Sequence, residues 1–142
     1  MKIILLAIFS LTMFGCASTS QIVKFQHEKE LHSGSARMYI LRPSILGSAF
    51  RMKVYANDKF IGKTGPKGYL CWDVTEGEYT LKTSAENVDL FTVNAKACKT
   101  YYIKQKYKQG ILSVRSSLEL LEEKEGRAIV SKLQQPTVKY TE

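Results

Sequence analysis

From residue 36 to residue 107 the chain alternates apolar and polar side chains with a period of two, broken at short intervals by turn residues. A chain with that pattern can fold only as short strands that place one face on a core and the other in water. The first strand, Ala36-Arg37-Met38-Tyr39-Ile40-Leu41-Arg42, is stopped by Pro43. Phe50, Met52 and Val54 then alternate with Arg51 and Lys53, Asn57-Asp58 supplies a turn, and Lys59 to Lys63 returns to make a hairpin. Past Gly65-Pro66-Lys67-Gly68, a strand from Tyr69 to Val74 buries Leu70, Trp72 and Val74. Further strands are expected at Tyr79–Thr83, near Val88–Asn94 and near Lys99–Tyr107, with Leu118–Leu121 closing the sheet. About seven to eight short strands with no helical period between them indicate an all-β fold, an antiparallel β-sandwich or an open barrel. One helix is expected at Glu122–Leu133, with acids early, Lys132 late, an i, i+4 pair of Glu123 with Arg127, and Gly126 weakening its middle. Pro136 limits its extent.

The segment ahead of this domain has a different origin. Lys2 precedes an apolar run from Ile3 to Phe14, too short to span a bilayer comfortably, and Gly15 stands directly before Cys16. That is the layout of a lipoprotein signal peptide at residues 1–15, with Cys16 becoming the lipidated first residue. Met13 stands where a leucine is commonest and Phe14 is bulkier than usual, while Gly15 leaves room for cleavage. Two or more acyl chains, at about 0.8 kcal/mol per buried methylene, make a stable anchor without a transmembrane helix. The polar stretch 16–35 reads as a tether, 36–134 as the domain and 135–142 as a loose tail. Ala17 is not the aspartate that commonly retains such proteins at the inner membrane, so the expected location is the outer membrane, with the domain in the periplasm.

Loss of Lys2 lowers the formal charge of +8 by one. The basic balance favours anionic surroundings such as lipid headgroups, glycolipid phosphates or an acidic protein, and export argues against nucleic acid. Cys71 and Cys98 are an even pair for an oxidising compartment, which favours a disulfide over two separate buried thiols. Such a bond would contribute roughly 3 to 4 kcal/mol in the chain-entropy description.

Few residues suit catalysis. His27 and His32 fall in the expected tether, where no scaffold would hold them. His27-Glu28 begins like a zinc-protease helix, but Leu31 replaces the second histidine, so neither a metal nor another cofactor is expected. Gly62-Lys63-Thr64 mimics the end of a phosphate loop, yet Asn57 occupies its first glycine position. Asp73, Glu76 and Glu78 cluster at one turn, where carboxylates usually solvate a loop. Binding fits better. Tyr102, Lys104, Lys106 and Lys108 share one parity of a strand whose other parity, Tyr101, Ile103 and Tyr107, points to the core. The first set makes a basic stripe suited to lipopolysaccharide, peptidoglycan or an acidic protein, or one that merely protects a strand edge.

Several segments, in order, resemble a family of small bacterial envelope proteins, many of them lipoproteins, grouped as a domain of unknown function (DUF2846-like). They are Ala36–Pro43, Val54-Tyr55-Ala56-Asn57-Asp58-Lys59-Phe60-Ile61-Gly62, Trp72-Asp73-Val74, Glu76–Leu81, Lys99–Ile103, Leu118–Leu121 and Glu125-Gly126-Arg127. The central hairpin is more weakly similar to surface-layer β-modules of the PEGA type, with Asn57-Asp58 in place of Asp-Gly and Glu76-Gly77 in place of Pro-Gly. The resemblance implies an extracytoplasmic β-sandwich and carries no catalytic residues. In the family pattern an aromatic stands at Cys71 and a glycine at Cys98, and this paired departure implies that the two cysteines compensate each other. The expectation from all of this is a non-enzymatic, lipid-anchored protein, an accessory part of an envelope assembly such as a secretion or motility machine. The alternative is an independent module that binds anionic glycan.

Overall fold

The structure is a computed structural model that describes residues 17–139. Residues 1–15 and Cys16, on which the signal and lipidation expectations fall, lie outside the described residues. Ten strands form in the order β1 (Ser20–Gln21), β2 (Ser35–Arg42), β3 (Met52–Ala56), β4 (Lys59–Thr64), β5 (Gly68–Thr75), β6 (Gly77–Ser84), β7 (Val88–Ala95), β8 (Thr100–Gln109), β9 (Val114–Leu121) and, after helix α1 (Glu123–Val130), β10 (Thr137–Val138). They make a six-stranded sheet, β10-β1-β4-β3-β6-β7, facing a four-stranded one, β5-β2-β8-β9.

The sandwich is mixed rather than wholly antiparallel. Because β3, β4, β6 and β7 lie in the other sheet and β5 takes one side of β2, β8 returns on the free side of β2 in parallel register, Arg37 opposite Thr100 and Leu41 opposite Lys104. β1 and β10 also run parallel. The expected hairpin is present: Asn57 and Asp58 both adopt positive φ, 47° and 62°, the pairing that matches a two-residue turn to strand twist. Phe50, however, is exposed in the loop before β3, which begins only at Met52.

Ala36, Met38 and Ile40 of β2, Leu70 and Trp72 of β5, Ile103 of β8, Val54, Ile61, Leu81 and Val93 fill the space between the sheets. A polar trio interrupts this core, Gln105 hydrogen-bonding Thr64 on one side and Thr83 on the other, so that its buried amide is satisfied. β2 and the first half of β5 are buried on both faces, because the outer face of their sheet is covered as well. The cover consists of α1 and of the N-terminal segment around Phe25 and His27.

That second cover corrects the tether expectation. Gln21 is fully buried, and its amide acts as a short strand on the edge of β5, accepting from the Cys71 N–H at 2.9 Å and donating to the Cys71 carbonyl at 2.7 Å. β1 pairs with β4, and Ala17 and Thr19 are buried, so the described part of the segment from residue 17 onward belongs to the fold. The tail expectation also fails in part, since β10 pairs with β1 through Thr137 and Val138. Polarity hid both elements, because each contributes backbone pairing and amide hydrogen bonds rather than apolar surface.

The cysteine expectation is overturned. Cys71 and Cys98 are both free thiols, Cys71 buried and Cys98 exposed. Cys71 lies opposite Tyr39 on β5, whereas the Cys98 N–H bonds the Ser35 carbonyl just before β8. Strand β2 separates the two, and they are offset along it by four residues, beyond disulfide reach.

Candidate functional site

The register of three neighbouring strands gathers one group of side chains on the outer face of the four-stranded sheet. Tyr39 on β2 stands opposite Cys71 on β5 and Tyr102 on β8, and Leu41 stands opposite Tyr69. The Tyr39 and Tyr102 rings stack at 4.9 Å between centroids with 13° between planes, and Tyr39 and Tyr69 lie 6.0 Å apart. The arriving N-terminal segment adds Phe25 against Tyr69, and His27 edge-on to Tyr39 and Tyr69. His27 Nδ1 is 3.0 Å from the Tyr39 hydroxyl.

Arg37 holds that segment in place. Its guanidinium donates to both Asp73 oxygens, at 2.7 and 3.1 Å, and to the Lys29 carbonyl at 2.6 Å. The fork geometry of a guanidinium suits this triple task. Asp73, one of the clustered carboxylates, is thus a partner of Arg37. Glu76 accepts the Ala97 N–H, so the turn at 76–78 works as a structural corner.

On the opposite side α1 lies across β8. Gly126 permits this: a Cβ there would stand 2.1 Å from Cγ of Tyr102. The residue that weakens the helix is therefore the one that lets it dock. Glu123 and Arg127 form the expected pair at 2.6 Å. Between α1 and the His27 segment lies a cleft of about 600 Å³, with His27, Arg37, Tyr69, Tyr102, Arg127 and Ser131 among its walls.

The electrostatics of the cleft favour hydrogen bonding over nucleophilic chemistry. Burial raises the pKa of Tyr39, Tyr69 and Tyr102, so the phenols stay protonated. Burial also pushes the Cys71 thiol up to about 12, and it lowers His27, which is neutral near pH 7. Arg37 is raised by its hydrogen bond to Asp73. What faces the opening is a set of phenol, hydroxyl, imidazole, amide and guanidinium groups with the Glu28 carboxylate, beside the apolar Val130 and Leu133. Among the described residues no group of three or more His, Cys, Asp or Glu side chains stands together as a metal site would require.

The expected stripe is divided. Tyr102 is buried under α1 and belongs to the cleft, which removes it from the exposed face. Lys104 and Lys106 are half-buried and Lys108 is exposed, all on the same side of β8 as expected. Lys106 pairs with Glu119 on β9 at 2.6 Å and holds that carboxyl below its ordinary value. His27 is the residue that sequence reasoning missed. Its only signal was the neighbouring Phe25, an aromatic two positions away in an otherwise polar stretch.

The family model described as "Protein of unknown function (DUF2846)" matches residues 32–117. A protein of Haemophilus influenzae (strain ATCC 51907 / DSM 11121 / KW20 / Rd), described as an uncharacterized protein, is 34% identical over 102 residues. That match covers 70% of this chain and 60% of the Haemophilus protein, so the chain spans less than two thirds of its relative. No solved structure matches.

Proposed function

We propose a function from one premise: the chain belongs to the DUF2846 family of proteins of unknown function. In our reading it is a lipid-anchored envelope protein that binds rather than catalyses, an accessory part of a protein assembly. Cys16 carries the lipid, in the outer membrane, and the domain stands in the periplasm. The observation that carries the reading is the cleft over β2, β5 and β8. Its aromatic floor is stacked, its walls offer donors and acceptors, and the Cys71 thiol beside that floor is protonated and buried. A short segment of a partner protein, with an apolar side chain flanked by polar backbone, matches that lining.

The test is recovery from the protein's own membranes after gentle solubilisation at moderate salt. A defined set of envelope proteins is expected with the unaltered chain. It should be lost with Cys16→Ala, which removes the anchor, and with Ser131→Trp, which fills the cleft from an exposed position. Recovery of the protein alone in every case would sink the reading. A second reading has one observation in its favour, the lysines at 104, 106 and 108 in register on β8. They would take lipopolysaccharide or peptidoglycan, although Glu119 offsets one of them. Salt-sensitive glycan binding abolished by Lys104→Glu with Lys108→Glu would move the conclusion there.

A further inference from the structure

Five of the large exposed apolar side chains lie in two loops, Ile45, Leu46 and Phe50 between β2 and β3, and Ile111 and Leu112 between β8 and β9. Because β2 and β8 are parallel neighbours, both loops leave the sandwich at the same end. Each of the five is more than half exposed, Ile111 and Leu112 almost completely.

This end is built to hold its shape. Arg42 is fully buried without a carboxylate partner and spends its guanidinium on backbone carbonyls, those of Leu46, Gly47 and Phe50 in the loop and Thr64 on β4. Gly47 rests directly on the Tyr107 ring, where a Cβ would come within 2.4 Å. The apolar side chains are presented outward by a fixed frame.

Two observations name what they face. Ala17, the residue that follows Cys16, is at this same end, buried against Gly65 with its N–H 3.4 Å from the Ser48 carbonyl. Around the loops stand exposed Arg51, Lys67, Lys108 and Arg115, which outnumber the acid at this end, Glu86, exposed as well and accepting the Val114 N–H at 2.7 Å. Apolar tips ringed by cations, at the point where the chain departs toward its anchor, match the interface of an anionic bilayer. We propose that this end docks on the membrane, the tips of the two loops entering the headgroup boundary and the basic ring meeting lipid phosphates. The docking rests on the lipoprotein reading for its biological setting, and its surface is defined by described residues alone.

The decisive experiment uses the chain from residue 16 onward with Cys16→Ala, which contains the whole described fold, and vesicles of phosphatidylethanolamine with about a third phosphatidylglycerol. Salt-sensitive co-sedimentation is expected. Ile111→Ser with Leu112→Ser should weaken it at least about tenfold, while Leu120→Ser, an exposed apolar residue away from this end, should leave it unchanged. All three positions are exposed, and unchanged Trp72 fluorescence confirms that the variants fold. No vesicle binding, or binding indifferent to the loop variants, overturns the proposal. So does loop-dependent self-association or capture of an envelope protein without lipid. Mass spectrometry of the natural protein for acyl chains decides the anchor separately, so failure of one idea is not mistaken for failure of the other.

Discussion

At the scale of single residues, His27 shows how a polar side chain becomes part of a floor. Burial against Phe25, Tyr39 and Tyr69 lowers its pKa, with Arg37 pushing the same way and Glu28 opposing. A histidine whose folded pKa lies below its unfolded value binds fewer protons when folded, so protonation favours the unfolded chain. Stability is then greatest above the ordinary histidine value and declines as pH falls through the window between that value and the lower folded one. His27→Gln should flatten this part of the profile, measured as urea midpoint against pH between 7 and 5. An unchanged slope would assign the pH dependence to other groups.

At the scale of elements, α1 docks on the sheet through Gly126 over Tyr102 and through Val130 in the cluster around Tyr39 and Tyr102. Gly126→Leu has no room over Tyr102 and should lift the helix from β8, at a cost of about 1–3 kcal/mol. Faster proteolytic cutting within 122–133, with Trp72 still buried, is the outcome that checks it. This element also shows what a sequence carries. Alternation located the strands and the hairpin, and charge order located the helix, since those signals are local. The parallel partnership of β2 and β8 was not legible, because it depends on which sheet the intervening strands join. Nor were β1 and β10, two-residue strands held by neighbours more than forty positions away. The floor of the cleft follows from the parity of β2, β5 and β8 and one wall from α1 and the residues after it; the other wall arrives with His27 and Glu28, in a stretch whose composition looks like linker.

At the scale of the molecule, the sandwich closes its flank without joining its sheets. The β9 N–H groups at Val114, Ser116 and Leu118 are received by the side chains of Glu86, Asn87 and Asp89, at 2.7, 2.7 and 2.8 Å. A strand edge satisfied in this way is a poor template for a further strand. Replacing all three acceptors with alanine should therefore produce concentration-dependent self-association, read by sedimentation velocity. A triple variant that stays monomeric would mean that sheet twist already protects this edge.

The parallel pairing of β1 with β10 has a mechanical consequence. The chain enters β1 at one end of the pair and leaves β10 at the other, with the Thr137 and Lys139 N–H groups bonded to the Thr19 and Gln21 carbonyls. If the start is held and the far end is pulled, these two strands are loaded in shear, so their hydrogen bonds resist together instead of opening one at a time. Force applied that way would run directly from β1 to β10 across the outermost strands of one sheet, and the cleft on the other sheet would be spared the strain.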